Sequence, residues 1–346
     1  MAITLYTSKH LSAFYRKRSG ETRIGETVHK ADGDWKTILK ECPAKYVLLG
    51  IPEDIGVRAN FGRPGAATAF KPVLESLLTT QDNVFFNGEA LLIAGEITCS
   101  DLQNKAESLD PRNEQDLEQL KALVNQLDER VTEIICDIVM AGKLPIVIGG
   151  GHNNAYGNIM GTSKALNMPI NVMNCDPHLD FRIGEGRHSG NGFTYAFQAG
   201  GLHQYAVVCM HESYNNRYAI DTFKKEPQRL FFNSYESVFV RNELSFEESV
   251  LQSISYLGHT PCGIELDMDA ITNVPSSART SSGISPVQAR QYVHLAGSKL
   301  NAAYLHIAEA APVLAHRKAD NKTGKLIAYL ITDFIKAVNN RSIAGC

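Results

Sequence analysis

The sequence predicts an α/β protein whose mostly parallel sheet is covered on both faces by helices. Three observations carry this. Short apolar runs alternate with helical stretches from residue 45 onward, the order that parallel strands and crossover helices produce. Ligand-type residues recur just past the ends of apolar runs, at His152, at Asp176/His178/Asp180 and at Asp267/Asp269. That is where open α/β sheets place their sites. No repeat, low-complexity tract or linker divides the chain, so residues 1–346 read as one domain, with 1–44 a partly irregular lead-in.

The elements follow in order. Lys45–Gly50 is a short apolar strand. The loop 51–66, with Glu53, Asp54, Arg58, Asn60 and Arg63, is punctuated by glycine and proline and leads to a helix over about 67–78. Leu91–Gly95 reads as a strand and the charged stretch 100–114 as a loop. From Glu114 to Ala141, Leu120, Leu123, Val124, Leu127, Val131, Ile134 and Ile135 recur at three-to-four spacing, the signature of an amphipathic helix. A strand over 144–149 runs into Gly150-Gly151-His152 and a helix to about Leu166. The strand 169–175 precedes Asp176, and the glycine-rich loop 184–192 leads to a short helix over 193–198. Strands at 205–210 and 228–233, a helix over 246–257 and a strand 262–269 come next. Ser285-Pro286 fits an N-cap followed by proline at the first helical position. The helix it opens runs to about Leu300, a strand spans 302–309, and a helix over 325–338 closes the series.

Composition narrows the function. A net charge of −3 gives no basic surface for nucleic acid or anionic lipid. No apolar run is long enough to span a bilayer, and the first residues lack the pattern of a secretory signal. Seven cysteines without a CxxC pair are expected to be buried, reduced thiols of a cytoplasmic protein.

The stretch Asp176-Pro-His178-Leu-Asp180 carries the chemistry. Alternate residues of extended chain face one side, so its three donors can converge just past a strand. Two carboxylates and an imidazole brought together that way repel and desolvate each other unless a cation is present. With His152, Asp267 and Asp269 the chain offers four carboxylates and two imidazoles. So many carboxylates suit a pair of ions, which a carboxylate can bridge, better than a single ion. A donor set without thiolate suits Mn²⁺, with Fe²⁺, Ni²⁺ and Zn²⁺ as further fits. Water held between two such ions would be partly deprotonated near neutral pH and would attack an electrophilic carbon.

Gly149-Gly150-Gly151-His152, Asp176-Pro-His178-Leu-Asp180 and Glu265-Leu-Asp267-Met-Asp269 resemble, in order and spacing, the three signatures of the arginase/agmatinase ureohydrolase superfamily. The resemblance covers roughly 45–340. It implies a three-layer α/β/α fold, a binuclear Mn²⁺ centre held by His152, Asp176, His178, Asp180, Asp267 and Asp269, and hydrolysis of a C–N bond in an amidine or guanidine. By the same resemblance Glu309 orients the cationic head of a small-molecule substrate, and the chain forms a homo-oligomer. Within the superfamily, Gly56-Val-Arg58-Ala-Asn60-Phe-Gly-Arg63-Pro-Gly-Ala66 and Asp180-Phe-Arg182 are similar to the formimidoylglutamase branch.

That branch acts on N-formimino-L-glutamate, whose two carboxylates suit arginine forks. Arg58, Arg63 and Arg182 are therefore expected as clamps, with Asn60, Ser189 and Asn191 beside them. The chain departs from the superfamily pattern at Gly151 (usually Asp), Glu265 (commonly Ser), Thr272 (usually Asp) and Ser189, where arginases carry a proton-shuttling histidine. His188, one position earlier, is the candidate shuttle. The expected reaction gives L-glutamate and formamide, a step of histidine breakdown. The competing expectations are a ureohydrolase of agmatine or guanidinobutyrate type that releases urea, and a binding protein that keeps the fold without turnover.

Overall fold

The structure, a computed structural model, describes residues 2–315 and 321–341. Among the described residues ten strands form one sheet: β1 (Ile3–Leu5), β2 (His29–Lys30), β3 (Tyr46–Gly50), β4 (Leu91–Ile97), β5 (Leu144–Ile148), β6 (Ile170–Cys175), β7 (Leu202–Met210), β8 (Leu230–Ser234), β9 (Cys262–Asp267) and β10 (Ala302–Ala308). Their order is β1-β4-β3-β5-β10-β9-β6-β7-β8, with β2 also paired to β4. Every pairing is parallel except β1 with β4.

The strands read as apolar runs because both faces are buried. Successive residues of a strand face opposite layers. Tyr46 and Leu48 join one core with Ile146, Ile264 and Leu305, under the helices Phe70–Leu77, Phe246–Leu257, Pro286–Lys299 and Lys322–Arg341. Val47 and Leu49 face the other way, under Glu114–Met140. On that second face Val172, Tyr205 and Val207 pack under Ala155–Leu166 and Gly192–Gln198. This is the three-layer α/β/α arrangement expected from the alternation of elements.

Local signals agree with the ends of elements. Ser285 Oγ accepts from Gln288 N–H at 3.2 Å while Gln288 Oε1 accepts from Ser285 N–H at 2.8 Å, with Pro286 at the first helical position. Each such cap is worth about 1 kcal/mol. Two expectations need correction. The charged stretch 100–114 is not all loop: Ser100–Glu107 is a helix that buries Leu102 and Ala106, an i, i+4 pair too sparse to stand out among charges. Residues 1–44 contribute β1 and β2 to the sheet edge, in strands too short to leave a periodic signal. Cys42, Cys99, Cys136, Cys175, Cys209 and Cys262 are free thiols; Cys346 lies outside the described residues. Among those residues no helix is long and apolar enough to cross a membrane.

Candidate metal centre

The donors stand at the C-terminal ends of four adjacent strands, β5, β10, β9 and β6. Past β5 the chain turns through Gly149 and Gly150, both at positive φ. A Cβ on Gly150 would lie 2.3 Å from Asn154 Nδ2, so a side chain is excluded on two counts. The turn delivers His152 to the start of the next helical segment. Past β6, Asp176 N–H still donates to Val208 O at 3.1 Å and extends the ladder. His178 N–H then closes a tight turn on Asp176 Oδ1 at 2.7 Å, and Asp180 adopts a φ of 44°. Past β9, Asp269 N–H donates to Asp267 Oδ1 at 2.6 Å. Past β10, Glu309 has a φ of 64°. Positive φ at two non-glycine residues of one rim marks backbone held in place by its surroundings.

These turns bring the donors together in two overlapping groups. His152, Asp176, Asp180 and Asp267 offer four atoms within 4.8 Å of one another, and His178, Asp267 and Asp269 form a second such group. His152 Nδ1 lies 3.1 Å from Asp176 Oδ2 and 3.2 Å from both Asp180 Oδ2 and Asp267 Oδ2. His178 Nδ1 is 3.4 Å from Asp176 Oδ1. Asp267 belongs to both groups, which makes it the natural bridge between two ions.

Electrostatics shows what the cluster lacks. Burial, and then the charges of Asp269 and Asp176, push the Asp267 carboxyl well up. Burial also opposes charge on Asp176, yet hydrogen bonds and charge from His152 and His178 hold it below the usual carboxylate range. Burial disfavours imidazolium at His178, but Asp176 outweighs it and raises the ring to about 10. Two imidazoles among four carboxylates leave buried negative charge uncompensated, the deficit that divalent cations fill. Carboxylates and imidazoles without thiolate are donors for hard or borderline ions. The residues therefore fit a metal pair.

A cavity of about 410 Å³ opens on this rim, bordered by His178, Asp180, Asp267, Asp269 and Glu309. His152 and Asp176 lie beneath it, fully buried. Glu309 is fixed by two donors: His152 N–H reaches its Oε1 and Ser277 Oγ–H its Oε2, each at 2.9 Å. Burial, then the nearby Asp269 charge, raises its carboxyl to about 8.

The remaining expected residues divide. Asn60, Arg182 and Ser189 border the cavity. Arg182 donates to Asn60 Oδ1 at 2.7 Å and to Glu185 Oε1 at 3.1 Å, and Asn60 Nδ2 donates to Ser189 Oγ at 3.2 Å. The other expected contacts are corrected by the geometry. Arg58 turns outward to the Leu109 carbonyl at 2.7 Å. Arg63 binds the Ser277 carbonyl at 3.0 Å, so it steadies the loop that carries Glu309's partner and does not face the cavity. Asn191 is buried and engaged with His188 N–H, the Arg187 guanidinium and Gly186 O. His188 is buried too. Its Nδ1 accepts from Gly190 N–H at 3.1 Å. Burial, then Arg182, Arg187 and Lys121, pull its pKa to about 3. His188 is not among the residues that border the cavity, and its Nδ1 is engaged by Gly190 N–H.

Sequence reasoning missed Tyr214, Asn215, Asn216 and Ser277, which also border the cavity. It also missed Arg187, buried between Tyr156 and Tyr195 and bidentate to Asp128 at 2.8 and 3.2 Å. The Asn215-Asn216 pair was visible as a polar turn, but nothing in it pointed to the rim.

Fold and site together define a class: α/β/α proteins with a carboxylate–imidazole metal rim at the ends of parallel strands. The chain belongs to the Arginase family, whose model matches residues 44–336. It is 27% identical over 321 residues to the formimidoylglutamase of Aromatoleum aromaticum, which covers 88% of this chain and 87% of that protein. It is 31% identical over 212 residues to the formimidoylglutamase of Chromobacterium violaceum, a match spanning 59% of this chain and 61% of that one. Among solved structures, the formiminoglutamase of Trypanosoma cruzi with Mn²⁺ superposes with a TM-score of 0.71 at 19% identity, covering 93% of this chain and 99% of the other. The formimidoylglutamase of Bacillus subtilis superposes with a TM-score of 0.73 at 15% identity, covering 94% and 95%.

Proposed function

We propose that the chain is a metal-dependent amidine hydrolase that converts N-formimino-L-glutamate and water to L-glutamate and formamide. One observation carries this reading: four of the six metal-type donors, His178, Asp180, Asp267 and Asp269, border one cavity together with Glu309 and Arg182, and His152 and Asp176 complete the donor groups beneath it. The curated relatives named above act as formimidoylglutamases by name, which supports the same substrate.

His152, Asp176, Asp180 and Asp267 would hold one cation and His178, Asp267 and Asp269 the other, with Mn²⁺ the proposed metal. Bound there, the pair supplies activation of water and stabilisation of negative charge developing on the substrate. The chain's own residues do the rest. Glu309, pinned by His152 N–H and Ser277, presents its remaining lone pairs to the protonated amidine and holds the formimino carbon in line. Arg182 takes a substrate carboxylate by a charge-assisted fork. Asn60 fixes the direction of that fork through Arg182 Nη1. In the reaction the bond between the formimino carbon and the glutamate nitrogen breaks. Water oxygen becomes the formamide carbonyl, and the released nitrogen takes up a proton.

The test is a product assay on protein loaded with Mn²⁺, offered formiminoglutamate, arginine and agmatine side by side. Formamide and glutamate from the first substrate alone are expected. Urea from either guanidine would overturn the substrate assignment, and inertness on all three would overturn the enzyme reading.

A further inference from the structure

Glu265 is a buried carboxylate beside the metal rim that the mechanism leaves unused. It lies on β9, two residues before Asp267, and is fully buried. Its register partner on β10 is His306, whose Nδ1 is 2.6 Å from Glu265 Oε2. The other His306 nitrogen lies 3.3 Å from the Gly149 carbonyl, on the turn that delivers His152. Tyr304 OH donates to Glu265 Oε1 at 2.8 Å. Gly263 makes this possible: a Cβ there would lie 2.2 Å from Tyr304 Cζ, so only glycine lets the ring cross β9. Two groups of β10 thus fasten one carboxylate.

What that carboxylate faces is His152. Its Nδ1 points at Asp176, Asp180 and Asp267. Its Nε2 is buried and makes no aligned hydrogen bond among the described residues, and Glu265 Oε2 lies 3.4 Å from it. A metal-bound histidine almost always donates its free ring N–H to an acceptor behind it, which sets tautomer and ring plane. His152, Glu265 and His306 could also be read as ligands of a third ion. The 2.6 Å between His306 and Glu265 argues against that reading. Two donors on one tetrahedral ion stand roughly 3.3 Å apart, whereas 2.6 Å is a hydrogen bond.

We propose that Glu265 is a positioning residue for the metal ligand His152: fastened by Tyr304 and His306, it accepts a hydrogen bond from His152 Nε2–H and so commits Nδ1 to the cation. This rests on the metal reading given above.

The experiment is a Mn²⁺ titration of metal-free protein, followed by paramagnetic resonance of the free ion and by calorimetry, with unfolding midpoints measured with and without Mn²⁺. Wild type is expected to take two ions per chain. Glu265→Gln should weaken one of them roughly 10- to 100-fold and leave the other within a few-fold. The Mn²⁺-induced rise in midpoint should shrink, a readout that simple loss of packing does not move. In a His152→Ala background the same change should add nothing. Tyr304→Phe, a gentler change that keeps the fold if Glu265→Gln does not, should weaken the same ion a few-fold. Wild-type affinity for both ions in the folded variants, or equal weakening with and without His152, would overturn the proposal. Wild type that binds no Mn²⁺ would overturn the metal reading itself.

Discussion

The two halves of the site are built differently. The floor, His152, Asp176, Asp267 and Asp269, sits on strand ends and is at most 2% exposed. The mouth, Asn60, Arg182, Ser189 and Tyr214, sits on loops; the Arg182 side chain is 45% exposed and Tyr214 66%. Strand ends are fixed by ladder hydrogen bonds and two packed layers, so they hold donors to the tolerance a metal demands. Loops are free to change length and composition, so they carry the choice of substrate. Under the proposed function, the contrast assigns reaction type and substrate choice to separate parts of this molecule.

Mutations can break or sharpen that contrast. Asp267→Ala removes the donor shared by both groups. It should cost about 10³-fold or more in turnover together with bound Mn²⁺, read by steady-state assay and metal analysis; full activity would refute the two-layer division. Arg182→Ala acts only at the mouth. KM for formiminoglutamate should rise roughly 10- to 100-fold, the worth of a charged hydrogen bond, with metal content unchanged; an equal fall in kcat would place Arg182 in the chemistry.

His188 tests the loop behind the mouth. Its native pKa of about 3 lies below the ordinary histidine value. The unfolded chain therefore binds more protons between those two pH values, and stability falls as pH drops through that window. His188→Asn should flatten the acid side of the melting-temperature profile and leave the pH dependence of kcat in place; a lost kcat limb would restore it as a shuttle. The smallest effect is expected at Arg58, which faces the Leu109 carbonyl. Arg58→Ala should keep kcat/KM within about twofold while costing about 1 kcal/mol of stability, read by denaturant titration.

The floor was legible in the sequence because its signals are local. An apolar run announces a strand, and a donor two residues past it announces a rim, so Asp176, His178, Asp180, Asp267 and Asp269 could be picked out one strand at a time. The mouth was not legible to the same depth. Arg58 and Arg182 are the same residue type near strand ends, and only the position of Leu109, fifty residues along the chain, sends one outward. Glu265 looked like a mere departure, since its meaning depends on His306 and Tyr304 of a neighbouring strand. The helix Ser100–Glu107 was hidden because two apolar residues suffice to seat it.

The strand order has a consequence for how the protein is made. β10 lies between β5 and β9, the strands that present His152 and Asp267, yet it is the last strand among the described residues. The ribosome therefore releases His152 about 150 residues before the segment that must wedge in beside it. Contacts that distant in sequence close slowly. Until β10 inserts, β5 and β9 lack the strand that joins them, so His152 is brought beside Asp176, Asp180 and Asp267 only after residues 302–308 have been made.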